Sequence, residues 1–209
     1  LGAATAERLV AAGARVVLCD LNDSVNAHAQ QLGSNARAIL ADITSGEQMQ
    51  QAVDAAVALG GERGLSGVVH CAGVVSVAKL VDREGSPADL ESYMKTININ
   101  LVGTFNVMRL AAAAMAKNAP NEGVVGMSLP AARELSRHAI RVMAIAPGVF
   151  ETPMMSEIPD EAAQALAAAV PFPKRLGKPD EFAQLAEQII TNPMLNGELI
   201  RLDGGIRMQ

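Results

Sequence analysis

The chain has few of the residues that mark disulfide, metal or nucleic-acid chemistry. Its only two cysteines, Cys19 and Cys71, stand in apolar runs without a CxxC spacing or a histidine-rich surrounding, which excludes a disulfide framework and a metal site of the usual spacing. No run of lysine and arginine occurs, and the formal net charge is −5. Because no basic patch is present, neither nucleic acid nor an anionic membrane is favoured as a partner, and we expect a small-molecule substrate.

Long apolar runs are absent as well. No stretch reaches the ~18 residues that a membrane-spanning helix requires. The sequence opens on Leu1-Gly2-Ala3 without the charged segment or cleavage pattern of a signal peptide. These absences predict a soluble protein of the cytoplasm, or of the mitochondrial matrix if the source is a eukaryote. A chain of 209 residues is long enough for one core, and we expect residues 1–209 to form a single domain.

Short runs rich in β-branched and aliphatic residues alternate with segments of helical period. The strand-like runs are residues 15–20, 36–41, 66–70, 140–146 and 198–202. The helical segments are residues 3–12, 24–32, 47–59, 90–117, 124–137, 160–169 and 179–191. Buried strands that alternate with helices predict an α/β fold, a doubly wound parallel sheet of Rossmann type with helices on both faces.

This alternation breaks at two points. The chain begins inside a helix, whereas a doubly wound sheet has its first strand at the centre. Residues 90–117 then lead through a short loop into residues 124–137 with no strand between them, although a βαβ crossover needs one. We predict that the first strand and a strand between Glu122 and Gly123 are missing, so that the remaining strands cannot form one contiguous sheet. Either the sequence omits residues that the molecule contains, which we favour, or it is a fragment that would not fold alone.

Two residues near the start suit a dinucleotide. Gly2 opens a helix whose first N–H groups can receive a pyrophosphate; a glycine without a special role is the alternative. Asp20 closes residues 15–20, where a carboxylate can accept hydrogen bonds from ribose hydroxyls and repel a 2′-phosphate. Asp20 therefore favours NAD over NADP, although a loop-capping role suits its position equally well.

Small and polar residues follow the next two strand-like runs. Asp42 comes directly after residues 36–41, at the edge where ligands bind in such folds, or else it belongs to the turn ahead of Thr44. Cys71-Ala72-Gly73 closes residues 66–70 with small groups, which let a flat nucleotide approach the backbone. Cys71 is interpreted as a wall residue rather than a nucleophile, because no basic partner is evident.

Three further features concern the middle and the end of the chain. Asn98 and Asn100 interrupt an apolar helical stretch and either form a polar network near the site or kink or cap the helix. Pro147-Gly148 and the residues up to Thr152-Pro153-Met154 form a strand-end loop, which either covers a cofactor or is an ordinary surface loop. Tyr93 is the only tyrosine, and Lys95 lies on another side of its helix, so the two cannot form a catalytic pair.

Together these residues resemble the short-chain dehydrogenase/reductase family over the whole chain. Gly2 is similar to the third glycine of the family's TGxxxGxG turn, Asp42 to its adenine-contacting aspartate, and Cys71-Ala72-Gly73 to the end of its NNAG motif. Further likenesses are Asn100-Leu101-Val102-Gly103 to the helix that carries the catalytic asparagine, Pro147-Gly148 with Thr152-Pro153 to PGxxxTP, and Asp203-Gly204-Gly205 to the C-terminal DGG. The resemblance makes Asn100 the one catalytic residue to carry over.

Within the family the likeness is greatest to the 3-hydroxyacyl-CoA dehydrogenases of type II. It implies that Leu1, Ile43, Cys71 and Phe150 line an NAD site, and that the reaction is hydride transfer between NAD and a secondary alcohol or ketone. The substrate pair it implies is 3-hydroxyacyl-CoA and 3-oxoacyl-CoA, and the assembly a homotetramer built partly through residues 195–209. The alternatives are an NADPH-dependent 3-oxoacyl-carrier-protein reductase, which Asp20 opposes, and a catalytically dead nucleotide-binding or scaffold protein.

The chain departs from the family pattern at the same two places where the alternation breaks. The family's catalytic serine and its Tyr-x-x-x-Lys pair fall between Glu122 and Gly123, and the first two glycines of the turn are absent. In the family the lysine and the nicotinamide lower the pKa of that tyrosine, which acts as the general acid and base. Asn100 is expected to support this proton network rather than to replace the tyrosine.

Overall fold

Helices and short parallel strands alternate along the computed structural model, which describes residues 1–76, 79–118, 123–125, 129–153, 155 and 158–206, the strand at 123–125 by its backbone alone. The α-helices are α1 Gly2–Ala11, α2 Ser24–Leu32, α3 Gly46–Gly60, α4 Leu90–Ile97, α5 Thr104–Met115, α6 Leu129–Leu135, α7 Asp160–Ala169 and α8 Pro179–Thr191. The strands are β1 Val16–Asp20, β2 Ala36–Leu40, β3 Gly123–Val125, β4 Ile140–Val142, β5 Ala144–Pro147 and β6 Leu199–Leu202. This mixture confirms the α/β class.

Local signals set the helix ends close to the predicted positions. α1 ends two residues before Gly13, whose φ of 89° is a left-handed conformation that glycine adopts at little cost. α3 begins after Ser45, whose side chain accepts a hydrogen bond from the Gln48 N–H at 3.3 Å, as an N-cap does. The predicted helix 90–117 is interrupted by a π-helical turn at Asn98–Gly103, between α4 and α5.

The strands pair in parallel but do not form one sheet. β1 pairs with β2, β3 with β4, and β5 with β6, so the described residues contain three two-stranded sheets. In the first pair the register runs from Val16 opposite Ala36 to Asp20 opposite Leu40. The prediction that the strands could not form a contiguous sheet is confirmed.

Two predicted elements are wrong. Residues 66–70 are fully described and do not form a regular strand. Residues 123–125, taken in part for the first turn of a helix 124–137, are instead β3, and α6 begins only at Leu129. β3 pairs with β4, whose backbone groups would otherwise lack a partner on that edge. Residues 119–122, which include Glu122 at the predicted break, lie outside the described residues.

The predicted strand 140–146 is divided at Met143. Its first part, β4, pairs with β3, and its second part, β5, pairs with β6. β1 is less buried than a central strand, because Val16, Val17 and Leu18 are half-buried while Cys19 and Asp20 are exposed. In the part of the chain that the structure describes, only β2 pairs with β1.

The core lies between helices and the later strands. One cluster joins α3 and α5 to β4, where Ile140 and Val142 are almost fully buried. Another joins α8 to the strand region through Met143 and Ile189. α8 also packs along α1, and Arg8 of α1 donates to Glu187 at 2.5 Å and to Asp180 at 3.3 Å. Among the described helices, none has the length and apolar character needed to cross a bilayer.

Candidate functional site

Two of the predicted aspartates lie at the carboxyl ends of the paired strands β1 and β2. Asp20 ends β1, and its backbone oxygen accepts from the Ala41 N–H at 3.0 Å, one residue before Asp42. The Asp20 side chain is exposed, and its Oδ1 accepts from the Asn22 N–H at 2.9 Å. The structure thus brings together two of the predicted cofactor-binding residues at the sheet edge where ligands bind in α/β folds.

Asp42 organises the turn that follows β2. Its Oδ1 accepts from the Thr44 N–H at 2.8 Å and from the Thr44 hydroxyl at 2.7 Å. The Thr44 backbone bond, then the hydroxyl bond, lowers the pKa of Asp42, with burial opposing them. Asp42 is therefore a turn-capping acid that remains ionised. It caps the turn while lying at the carboxyl end of β2, the edge of the sheet where ligands bind.

Ile43, the next residue, rests on the π-helical turn. A Cβ on Gly103 would lie 2.7 Å from Ile43 Cδ1, so only glycine lets the isoleucine approach the helix this closely. The Ile43 carbonyl accepts from Asn106 Nδ2 at 2.8 Å. Helix and turn are therefore held together by an apolar contact and a hydrogen bond.

Asn100 fastens the loop after residues 66–70 to the same helical segment. Its Oδ1 accepts from the Val74 N–H at 2.8 Å and its Nδ2 donates to the Val74 carbonyl at 2.7 Å. A Cβ on Gly73 would lie 3.3 Å from Asn100 Oδ1. The predicted polar network at Asn100 is present in the structure, and it stands in a π-helical turn, a feature that recurs at functional sites.

The start of α1 lies against the same loop. A Cβ on Gly2 would lie 3.4 Å from Cys71 Cβ. The Leu1 carbonyl accepts from both the N–H and the hydroxyl of Thr5 at 3.0 Å, and the helix has no side-chain cap at its N-terminus. Desolvation by burial raises the pKa of the Cys71 thiol, which suits a wall residue and opposes a nucleophilic thiolate.

A second group of predicted residues lies at the end of β5. The Gly148 N–H donates to the Leu202 carbonyl at 2.9 Å, and a Cβ on Gly148 would lie 2.8 Å from Asp203 Cα. Phe150 is buried, with its ring edge-on to Phe182 at a centroid distance of 6.3 Å. Its ring therefore faces the interior, so only its backbone could contact a cofactor. Thr152 is half-buried beyond it, and Met154 lies outside the described residues.

Sequence reasoning assigned no site role to His70 and Thr104. The Thr104 hydroxyl donates to the Asn100 carbonyl at 2.6 Å, and His70 Nε2 lies 2.9 Å from the same oxygen of Thr104. Because that hydroxyl has only one hydrogen, His70 must be the donor in the second bond. Burial lowers the pKa of His70, which favours the neutral imidazole. With its proton on Nε2, this imidazole connects residue 70 through the Thr104 hydroxyl to the Asn100 carbonyl. The four-residue spacing of Asn100 and Thr104 was the available signal.

Comparison with known proteins gives consistent matches over the whole chain. The family model described as enoyl-(acyl carrier protein) reductase matches residues 1–131 and residues 118–207. The 3-hydroxyacyl-CoA dehydrogenase type-2 of Homo sapiens is 42% identical over 241 positions, which cover 100% of this chain and 92% of that protein. The protein of the same name from Drosophila melanogaster is 40% identical, covering 100% of this chain and 93% of that one.

Solved structures agree with these sequence matches. The crystal structure of 3-hydroxyacyl-CoA dehydrogenase type-2 from Mycobacterium avium superposes with a TM-score of 0.90 at 38% identity. It covers 99% of this chain and 91% of the other. The backbone therefore has a Rossmann-like fold, although its described strands form three separate two-stranded sheets.

The alignments also bear on the prediction that a strand between Glu122 and Gly123 is missing. The alignment with the human protein spans 241 positions and this chain has 209 residues, so at least 32 positions lack a residue of this chain. The two family matches meet and overlap at residues 118–131, which bracket Glu122 and Gly123. An internal shortening relative to these relatives is thus supported at the point where the alternation breaks.

Proposed function

Because this chain belongs to the short-chain dehydrogenase/reductase family of oxidoreductases, we propose that it is an NAD-dependent dehydrogenase built on a single nucleotide-binding domain. The substrate proposed is a 3-hydroxyacyl-CoA, oxidised to 3-oxoacyl-CoA, by analogy with the names of the relatives. The observation that carries the cofactor choice is the exposed Asp20 carboxylate at the end of β1.

The residues present fit the adenosine half of NAD. Asp20 can accept hydrogen bonds from two ribose hydroxyls, and the Asp42 carboxylate is an acceptor suited to an adenine amino group. The N–H groups at the start of α1 suit the pyrophosphate. A Cβ on Gly73 would lie 3.3 Å from Asn100 Oδ1, closer than Cβ contacts usually are, whereas a Cβ on Gly2 would make an ordinary contact with Cys71 at 3.4 Å. The lack of a side chain at Gly73 suits a close approach of a nucleotide to the backbone there.

The loop after β5 is proposed to hold the nicotinamide half. Pro147 and Gly148 fix its start beside Asp203, and the Thr152 hydroxyl and the Phe150 backbone offer donors and acceptors to a carboxamide. Bound NAD would supply the hydride acceptor. This chain's own contribution at that point is to orient the ring and to exclude water from it.

Proton transfer is the less complete part of the site. Asn100 holds the loop at Val74 through its side chain and shares its carbonyl with Thr104, which places it as a support for a proton relay. Tyr93 is the only tyrosine of the chain, and it is 61% exposed on α4. It stands seven residues before Asn100, about two helical turns or ~10 Å along the axis, so it offers no general acid next to Asn100.

A second candidate function follows from the lack of a general acid next to Asn100. Because at least 32 aligned positions lack a counterpart here, the chain could bind NAD without turning over substrate. The NADPH-dependent reductase is disfavoured, because the charge of Asp20 opposes a 2′-phosphate.

One experiment separates these candidates. The chain is mixed with NAD and a short 3-hydroxyacyl-CoA, NADH is followed by absorbance, and NAD affinity is measured by calorimetry on the same sample. NADH formation supports the dehydrogenase and excludes the non-catalytic candidate. NAD binding without NADH formation supports the non-catalytic candidate, and the absence of both refutes the proposed cofactor.

We also propose a homotetramer, with contacts partly through residues 195–206. Apolar surface next to and within that region, at Met194 (88% exposed) and Leu199 (57% exposed), suits a contact between subunits. Light scattering after size exclusion would return four times the chain mass. A monomeric mass at micromolar concentration would contradict this assembly.

A further inference from the structure

Asn106 is a buried polar residue in α5 with no role in the features described above as catalytic. It is 6% exposed, and a buried amide requires partners for both of its ends. Its Nδ2 donates to the Ile43 carbonyl at 2.8 Å, and its Oδ1 accepts from Arg109 Nε at 3.0 Å and Nη2 at 2.6 Å. Both ends of the amide are therefore satisfied.

Arg109 fixes the direction in which this amide points. A guanidinium can only donate, so it must face Oδ1, and the Ile43 carbonyl can only accept, so it must face Nδ2. If the amide rotated by half a turn, Nδ2 would face the Arg109 donors and Oδ1 would face the Ile43 carbonyl, so neither hydrogen bond could form. Arg109 itself is exposed, and its Nη2 would lie 3.2 Å from a Cβ on Gly46 at the start of α3.

The group held by Asn106 belongs to the turn that follows β2. Ile43 lies directly after Asp42, and its side chain rests on Gly103, three residues before Asn106. Several contacts fix the turn: the bonds of Asp42 Oδ1 with Thr44, the bond from the Asp42 N–H to Gln48 Oε1 at 2.7 Å, the contact of Ile43 with Gly103, and the bond from Asn106 to the Ile43 carbonyl. A turn that is already ordered loses less conformational freedom when a ligand binds to it.

We propose that Asn106, oriented by Arg109, is a positioning residue that presets the Asp42–Ile43 turn for the adenosine half of the cofactor. This inference rests on the proposed NAD site. Asn106 does not itself contact the nucleotide. It acts by holding the Ile43 carbonyl. This hydrogen bond fixes the position of Ile43, and of the neighbouring Asp42 carboxylate, relative to α5.

The test uses Asn106→Asp, because aspartate keeps the partner of Arg109 but replaces the donor to Ile43 with a second acceptor. Affinities for NAD and for ADP are measured by calorimetry, together with the midpoint of thermal unfolding. We expect both affinities to fall about tenfold, the effect of losing one hydrogen bond that aligns the turn. The ratio of the two affinities should not change, because ADP contains the half of NAD that the turn is proposed to hold.

The chain offers a matched control in Asn118. Its Nδ2 donates to the Leu65 carbonyl at 2.7 Å, the same kind of bond, made by a half-buried residue in the turn that follows α5. Asn118→Asp should destabilise the fold to a similar degree while leaving both affinities within twofold. Arg109→Gln, an exposed substitution, should lower both affinities about threefold and provides the test if Asn106→Asp does not fold.

The outcomes distinguish this inference from the proposed function. If the parent chain binds NAD and ADP and neither the Asn106 nor the Arg109 variant changes the affinities, the positioning role is wrong and the NAD site stands. An equal loss of affinity in Asn118→Asp would likewise overturn it, since a general loss of stability would then explain the effect. If the parent chain binds neither ligand, the proposed function and this inference fall together.

Discussion

Arg141 holds the end of α8 from inside the protein, and its replacement should be among the most damaging single changes in the chain. It is 6% exposed, and its Nη1 donates to the carbonyls of Ile189, Asn192 and Leu195 at 2.8, 3.0 and 2.9 Å. Its Nη2 donates to the Ile190 carbonyl at 2.8 Å. These carbonyls lie at or just beyond the C-terminus of the helix, where a positive charge is favourable.

The cost of Arg141→Met can be estimated from these four contacts. Each buried carbonyl left without a donor costs ~1–3 kcal/mol, and because the four partners are neutral carbonyls, no uncompensated charge remains inside the protein. Asn192 is exposed, so water can replace the donor there. We therefore expect a loss of about 3–4 kcal/mol, a large part of the stability of an ordinary domain.

Urea unfolding followed by circular dichroism measures this loss. Arg141→Lys should recover less than half of it, because an ammonium has its three donors on one nitrogen and lacks the spread with which the guanidinium serves four carbonyls. Arg137→Met, at an exposed arginine of the same region, is the matched control and should change stability by less than ~0.5 kcal/mol. A loss below ~1 kcal/mol for Arg141→Met would refute the capping role.

Two further predictions concern the site and its support. Asn100→Ala removes both bonds to Val74 and should lower turnover about tenfold while changing NAD affinity less, as steady-state kinetics would show; equal losses in both would contradict its role as a support. Glu181 has its pKa lowered to about 2, first by its bond to Arg175 and then by the Lys178 N–H. Its folded pKa lies below the ordinary value of 4.5, so its stabilising effect is present above about pH 4.5 and is lost as the pH falls through about 2. Glu181→Gln should therefore lower the melting temperature near pH 6 and have little effect near pH 2, and an equal effect at both would exclude the ion pair as the cause.

The alternation of strands and helices could be predicted because local composition specifies it. The helix ends at Gly13 and Ser45 follow from capping chemistry that two or three neighbouring residues contain. The interruption at Asn98–Gly103 was less accessible: two asparagines signalled a polar contact or a kink, but not a π-helical turn. That turn depends on Ile43 and Val74, which are distant in sequence.

The wrong strand assignments have a tertiary cause. Residues 66–70 contain only two β-branched residues, Val68 and Val69, and in the structure they have a single bridge position at Gly67 instead of a run of paired residues, which a strand requires. Residues 123–125 show the reverse, because the edge of β4 gives them a partner that their helical periodicity does not reveal.

The candidate site shows the same division between local and distant signals. Asp20 and Asp42 could be found because Asp20 ends one strand-like run and Asp42 directly follows the next, and such run ends meet at one sheet edge. Gly73 was found through the small residues that come after residues 66–70. Asn106 and Arg109 could not, since an asparagine in a helix gives no sign of which carbonyl it will meet. Phe150 was assigned to the NAD site by resemblance, and the burial of its ring against Phe182 could be seen only in three dimensions.

The most direct test of nucleotide binding at the carboxyl edge is the ratio of NAD to NADP affinity, measured by calorimetry for the parent chain and for Asp20→Ser. The parent should bind NAD at least about tenfold more tightly, because Asp20 bonds the ribose and repels a 2′-phosphate. Asp20→Ser should remove most of this preference. A parent chain that binds NADP tenfold more tightly than NAD, or a preference for NAD that survives in Asp20→Ser, would contradict the assignment.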